Sequence, residues 1–171
     1  MKLIIVIFIS FCFYRCSIFS QHIVKSSELS VLSIVDTSLN SILDSVLIFE
    51  KNCDYYSDSL FFTIDVRMIK ESYELQISSS NNINEALDYF EPIYGCLSYE
   101  NHLFIIFNPV SERFFKRTEK KSKFNYIKDD KSYQKGDSLT LYHIIDDSYT
   151  YWTFWYVNGV FIFKDRSSSC N

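Results

Sequence analysis

The Asn158-Gly159 pair is the sequence feature that most limits how this chain can fold. It separates two runs rich in aromatic and β-branched residues, and residues 151–165 alone hold seven aromatic rings. An Asn-Gly pair between two such runs is the strongest short-range signal for a β-hairpin with a two-residue type I′ turn. The sequence therefore predicts two adjacent antiparallel strands on either side of this pair.

The strand before this turn carries aromatic residues on both faces, because successive side chains of a strand point to opposite sides. One face holds Trp152 and Phe154, which we expect to pack in a core against a helix. The other holds Tyr149, Tyr151 and Trp155. Tyr and Trp are enriched in protein–protein contacts, so we predict that this second face stays partly exposed and binds a partner. The alternative is that these rings also belong to a core.

Residues 27–50 have the spacing of an amphipathic helix, with apolar residues at steps of three and four. Ser26 or Ser27 could cap its first turn. The pattern predicts one long helix lying across a sheet. The apolar positions are Leu29, Leu32, Val35, Leu39, Ile42, Leu43, Val46 and Phe49.

Several later segments alternate apolar and polar residues at the period of a strand. Segments 59–69 and 72–78 predict a hairpin around Lys70-Glu71, and Glu100-Asn101 predicts a second one. A short helix is expected at 83–90, and a further strand at 138–145. Together these segments predict an α+β fold: an antiparallel sheet of about six to seven strands, one long N-terminal helix packed on one face, and a short second helix.

The first twenty residues differ from the rest and resemble a secretory signal. Lys2 precedes an uncharged apolar run from position 3 to 14, which is too short to span a membrane as a helix. We expect cleavage after Ser20, leaving residues 21–171 as a single secreted or periplasmic α+β domain. Two alternatives remain: an uncleaved anchor, and a lipid attached to Cys16 that would tether the protein to a membrane.

Three cysteines follow the leader, and an oxidising compartment would allow two of them to pair. Cys53 and Cys170 lie outside the strongly periodic runs, so they are the favoured pair. Cys96 lies in a strand-like run and is expected to be a small buried apolar residue.

Charge is distributed unevenly along the chain. Residues 21–112 carry 14 acidic and 4 basic side chains, whereas residues 113–135 carry 9 basic and 3 acidic ones. The favoured interpretation is a solvated loop or hairpin that complements the protein's own acidic surface. The alternative is an anionic partner held by Lys120, Lys121 and Lys123. Nucleic acid is not expected to be that partner, because the chain as a whole carries a net charge of −4.

Catalytic and metal-binding motifs are missing from the sequence. There is no nucleophile elbow, no His-Glu-x-x-His pair and no glycine-rich phosphate loop. A Cys-His pair formed by Cys96 with His102 or His143 has no local signature. We therefore expect no enzymatic activity, no cofactor and no metal.

These observations favour a small exported interaction protein that binds another protein. One version is an immunity protein or inhibitor that acts in a periplasm. The alternatives are a surface-associated lipoprotein anchored through Cys16 and a hydrolase of unrecognised type.

Overall fold

The structure is a computed structural model, and it describes residues 23–81, 83, 92–128 and 148–170. These residues form one mixed eight-stranded sheet, one α-helix and a short 3₁₀ helix. The elements in chain order are β1 (Ile23–Ile34), α1 (Ser38–Glu50), β2 (Phe61–Ile69), β3 (Ser72–Ser80), β4 (Ile93–Tyr99), β5 (His102–Phe107), the 3₁₀ helix (Pro109–Arg113), β6 (Phe115–Lys128), β7 (Ser148–Val157) and β8 (Val160–Ser168).

The strands lie in the order β6-β1-β4-β5-β2-β3-β7-β8, so the β4–β5 hairpin is inserted between β1 and β2. Its two strands run in opposite directions, and each lies parallel to its outer neighbour. An entirely antiparallel sheet of six to seven strands was predicted. This prediction is wrong in the number of strands, which is eight, and in the direction of two strand pairs, β1–β4 and β5–β2, which are parallel. Tight turns fix only the relative direction of consecutive strands, and both parallel pairs are formed by strands that are distant in the sequence.

The predicted hairpin turns are confirmed. Asn158 and Gly159 have φ angles of 51° and 82°, and Glu100 and Asn101 have φ angles of 48° and 65°. Positive φ at both central residues is what a type I′ turn requires. Lys70, at the β2–β3 turn, also has a positive φ of 57°.

The predicted helix at 27–50 is wrong in its first half, where the chain forms β1. This strand pairs with β6 from Ile23 to Ile34. Leu29 and Leu32 point to opposite sides of it, and both are buried because each side of the sheet is covered there. The spacing of three residues between Leu29 and Leu32 therefore comes from a strand that is covered on both faces, and not from a helix.

Helix α1 begins only at Ser38, so neither Ser26 nor Ser27 caps it. Instead, the Asp36 carboxylate accepts hydrogen bonds from the backbone N–H and the hydroxyl of Ser38, at 3.0 and 2.5 Å. Val35, predicted to lie in the buried stripe, is 54% exposed in the connection before the helix. Leu39, Leu43 and Val46 are fully buried, which confirms the second half of the predicted stripe.

The main core lies between α1 and one face of the sheet, called here the helix face. Phe62 and Phe104 stack at the centre with ring centroids 4.7 Å apart. Phe49 of α1 meets Trp152 of β7 edge to face at 5.0 Å. Trp152 and Phe154 are both buried in this core, as predicted.

A second, smaller apolar cluster lies on the opposite face of the sheet, called here the open face. It covers β1, β4, β5 and β2 and includes Leu29, Phe61, Cys96, Ile105 and Phe107, with Ile83 packed against it. Cys96 is a buried free thiol, in agreement with the prediction. On β3, β7 and β8 the same face carries polar and charged side chains together with three exposed apolar ones, Trp155, Val160 and Ile162.

A disulfide joins Cys53, just after α1, to Cys170, just after β8. This is the pairing that the sequence favoured, and it is compatible with an oxidising compartment outside the cytoplasm. The predicted signal peptide, the strand at 138–145 and, except for Ile83, the helix at 83–90 lie outside the described residues.

Candidate binding surface on the open face

The β2–β3 and β7–β8 hairpins build a surface centred on Trp155. The register places Glu74 beside Trp155 on β3 and Ile162 beside it on β8, while Arg67 follows beyond Glu74 on β2. Trp155 and Phe154 are consecutive residues of β7 and therefore point to opposite faces. Because Phe154 is in the helix-face core, Trp155 is on the open face.

Four apolar side chains at this end of the open face are exposed to solvent. We call them the Trp155 patch: Ile69, Trp155, Val160 and Ile162, which are 42, 43, 59 and 51% exposed. Charged side chains border them, namely Arg67, Glu74 and Lys164. An apolar centre with a charged rim is the usual arrangement of a protein–protein interface.

Hydrogen bonds and a cation–π contact fix the orientation of the Trp155 side chain. Its indole Nε1–H donates to Glu74 Oε2 at 3.2 Å, and Lys164 Nζ donates to the same oxygen at 3.2 Å. Lys164 Nζ also lies 4.7 Å from the centroid of the Trp155 ring. The indole is therefore held in place by polar contacts while much of its apolar surface remains in water.

Glu74 is the charged group at the centre of this arrangement. Its residue is only 8% exposed. Burial by itself would raise the pKa of this carboxyl, but the hydrogen bonds from Trp155 and Lys164 and the positive charges of Lys164 and Arg67 together outweigh burial, and the pKa of Glu74 is lowered. The carboxylate therefore stays ionised and keeps both donors at neutral pH.

The structure describes the side chains of two of the three aromatic residues that were predicted for this surface. Trp155 is exposed, and Tyr151 lies on the same face at an intermediate exposure, opposite Ser78 of β3. The side chain of Tyr149 lies outside the described residues. Ile69, Val160 and Ile162 also belong to this surface but were not predicted to do so. The alternation of Ile162 with Phe161 and Phe163 could have identified Ile162 once β8 was paired with β7.

The predicted basic residues lie at the other end of the sheet. Lys120, Lys121 and Lys123 are exposed on β6, which is separated from β7 by five strands. The structure does not bring the two predicted sites together. The basic segment was expected to be a loop or hairpin, and its residues 115–128 instead form a sheet-edge strand.

His102 has a structural role on the helix face. Its Nε2 bonds the Tyr56 hydroxyl at 2.8 Å, its Nδ1 bonds the Leu60 carbonyl at 3.2 Å, and the residue is 5% exposed. Cys96 is buried in the cluster on the other face, so the sheet separates Cys96 from His102. His143, the other suggested partner of Cys96, lies outside the described residues.

A buried carboxylate also lies on the helix face, close to the disulfide. Glu50 is fully buried and accepts hydrogen bonds from the Tyr55 hydroxyl at 2.7 Å and from Trp152 Nε1 at 3.4 Å. Burial raises the pKa of Tyr55, so this phenol remains a neutral donor to Glu50. These bonds connect the end of α1 to β7 and satisfy both carboxylate oxygens.

Within the described ranges, no group of three or more His, Cys, Asp or Glu side chains is arranged to hold a metal ion. No helix in the described part of the chain is long and apolar enough to cross a membrane. No protein-family model, no curated protein sequence and no solved structure matches this chain.

Proposed function

We propose that this protein is a small exported binding protein that docks a partner protein through the Trp155 patch and does not act as an enzyme. The observation that carries the proposal is the exposed indole of Trp155, 43% accessible and fixed by Glu74 and Lys164. A fixed, exposed Trp loses little conformational freedom on binding, and Trp is among the residues that most often dominate binding energy.

The Cys53–Cys170 disulfide supports export as part of this proposal, because such bonds persist in oxidising compartments. A specific version is an inhibitor or immunity protein that covers a toxin or hydrolase in a periplasm. Neither a lipid anchor at Cys16 nor hydrolase activity gains support from the contacts described above.

The proposal is tested by photo-crosslinking at two exposed apolar positions. A benzoylphenylalanine replaces Ile162 in the patch or, as the matched control, Ile48 on the outer side of α1, which is 65% exposed. Each protein is then irradiated in an extract of its native source. We expect a defined crosslinked partner from position 162 and none from position 48.

The same partner should be lost when Trp155→Ala is introduced and retained with Ile48→Ala. The Trp155→Ala protein must still unfold in a single cooperative transition and be fully folded under the crosslinking conditions, so that loss of the partner reports on the surface rather than on folding. Equal crosslinking from both positions, or recovery of uncrosslinked monomer alone, would overturn the proposal.

A further inference from the structure

The outer edge of β6 is a second surface, distinct from the Trp155 patch. β6 is the terminal strand of the sheet and pairs with β1 on one side, and no strand among the described residues pairs with its other side. The backbone N–H and C=O groups on that side have no strand partner within the described ranges, and an unpaired edge of this kind can accept an added strand.

The charged side chains of this edge strand are predominantly positive. Residues 115–123 carry five cationic side chains and one carboxylate, Glu119. The cations are Lys116, Arg117, Lys120, Lys121 and Lys123, and all five are exposed.

Few of these cations are neutralised by the protein itself. Lys123 lies 3.6 Å from Glu28, with both side chains more than half exposed, and Arg117 lies over the Tyr94 ring at 4.6 Å. Lys121 bonds the Ser30 hydroxyl at 3.0 Å. Lys116 and Lys120 have no ion-pair partner in the described part of the chain. Among residues 115–123, contact with the protein's own carboxylates is therefore limited to the pair of Lys123 with Glu28 in the described part of the chain.

We propose that the β6 edge binds an acidic peptide in extended conformation, which adds to the sheet as a ninth strand. Lys121 and Lys123 are two positions apart on one strand and so share a face, about 6.6 Å apart along it. Acidic residues that alternate along an added strand have the same spacing, and each can lie beside one of these lysines.

The charge of β6 also selects against other occupants. Lysines on an edge strand repel a second copy of the same basic edge. The other edge strand, β8, carries Lys164 and Arg166 around Asp165, so it offers no acidic row for β6 of another copy. The positive charge of β6 therefore favours an acidic strand as its partner.

The test uses fluorescence polarisation with a labelled eight-residue peptide that alternates Glu and Thr. Two further peptides carry N-methyl groups on every Glu or on every Thr. All three peptides have the same charge. In an added strand, the N–H groups of every second residue point towards β6 and those of the other residues point away. N-methylation of the first set therefore removes hydrogen bonds to β6, whereas N-methylation of the second set does not. We expect one methylated peptide to lose binding at least about 10-fold and the other to retain it.

Charge reversal provides a second, independent measurement. Lys121→Glu/Lys123→Glu should weaken binding of the unmethylated peptide roughly 10- to 30-fold. The matched control, Lys51→Glu/Lys70→Glu, changes the net charge equally at two exposed lysines away from β6 and should leave binding within about 2-fold.

Heparin and vesicles containing anionic phospholipid are included as alternative ligands. If both methylated peptides bind like the parent peptide, the surface attracts anions without adding a strand and the proposal is overturned. Binding of heparin or vesicles in preference to the peptide would overturn it as well. The methylation experiment uses the wild-type protein, so its outcome does not depend on the folding of any variant.

Discussion

Phe154 and Trp155 are neighbours in β7 but lie in opposite environments. Phe154 is 3% exposed, and its ring stacks parallel to Trp152 at 6.3 Å, against the core under α1. Trp155 is 43% exposed, and its polar contacts are with a carboxylate and an ammonium group. The two faces of one strand are equally aromatic in sequence, yet one face is core and the other is surface.

The neighbouring strand β3 accounts for this difference. Leu75 and Ile77 lie beside Phe154 and Trp152 on the helix face, whereas Glu74 lies beside Trp155 on the open face. An aromatic residue next to aliphatic cross-strand neighbours can be covered without burying charge. The polarity of the neighbours on β3, together with coverage by α1, separates the core face from the exposed face, and the number of rings does not.

Removing the disulfide should produce the largest change, because it ties α1 to β8 on the helix face. Cys53 and Cys170 are 117 positions apart, and a crosslink that closes a loop of about 100 residues contributes about 4–5 kcal/mol in the chain-entropy account. We expect Cys53→Ser/Cys170→Ser to lower the free energy of unfolding in urea by about that amount.

The control is Cys96→Ala, which retains the disulfide. Reducing agent should destabilise this control and the wild-type protein but have no effect on the double variant. A loss below about 1 kcal/mol in the double variant would show that the disulfide does not stabilise the helix face.

The most direct test of the comparison between the two faces replaces each of the two neighbouring rings. Phe154→Ala should lower the free energy of unfolding by about 3–5 kcal/mol, because it leaves a cavity in a packed core. Trp155→Ala should cost less, about 1–2 kcal/mol, through partial loss of buried area and of the contact with Lys164. Urea unfolding of the two variants measures both values, and equal losses would contradict the assignment of Trp155 to an exposed face.

Features of the fold that depend on local chemistry could be predicted from the sequence. Asn158-Gly159 specifies its turn because Asn and Gly readily accept positive φ, and Asn101 supplies one such residue in the β4–β5 turn, where Glu100 also adopts a positive φ. The alternation in β2 and β3 predicted both strands, and their apolar positions Ile64, Val66, Leu75 and Ile77 do lie in the helix-face core, but Met68 on the same side of β2 is 59% exposed. The alternation in β7 placed Trp155 opposite Phe154. Cys53–Cys170 followed from where the cysteines lie relative to the periodic segments.

Features that depend on distant segments could not be predicted. Leu29 and Leu32 fit a helix as well as a strand with two covered faces, and only pairing with β6 and β4 decides between these conformations. Gly95 shows how close that pairing is, since a Cβ at this position would lie 2.5 Å from the carbonyl oxygen of Ser30. For the same reason, the sequence did not reveal that the basic segment is an edge strand or that Ile162 lies beside Trp155.

The smallest effect is expected from the charged rim of the Trp155 patch, through Glu74. Its lowered pKa means that the unfolded chain binds its proton more readily than the folded chain does. The stabilisation is therefore complete above the usual pKa of 4.5 and is lost as the pH falls from there through the lower folded value. Glu74→Gln should cost about 1 kcal/mol at pH 7 and flatten the acid side of the stability profile.

Asp36 on the helix face provides the matched comparison. Burial would raise its pKa, but hydrogen bonds from Ser38 and Tyr156 lower it, and its usual value is 3.8. Asp36→Asn should therefore flatten the profile only below about pH 4, whereas Glu74→Gln acts from about pH 5 downward. Chemical unfolding at half-unit pH steps separates the two windows. If the Glu74→Gln profile were as steep as the wild type between pH 5 and 4, the carboxylate would not be what holds Lys164 and Trp155 in place on the open face.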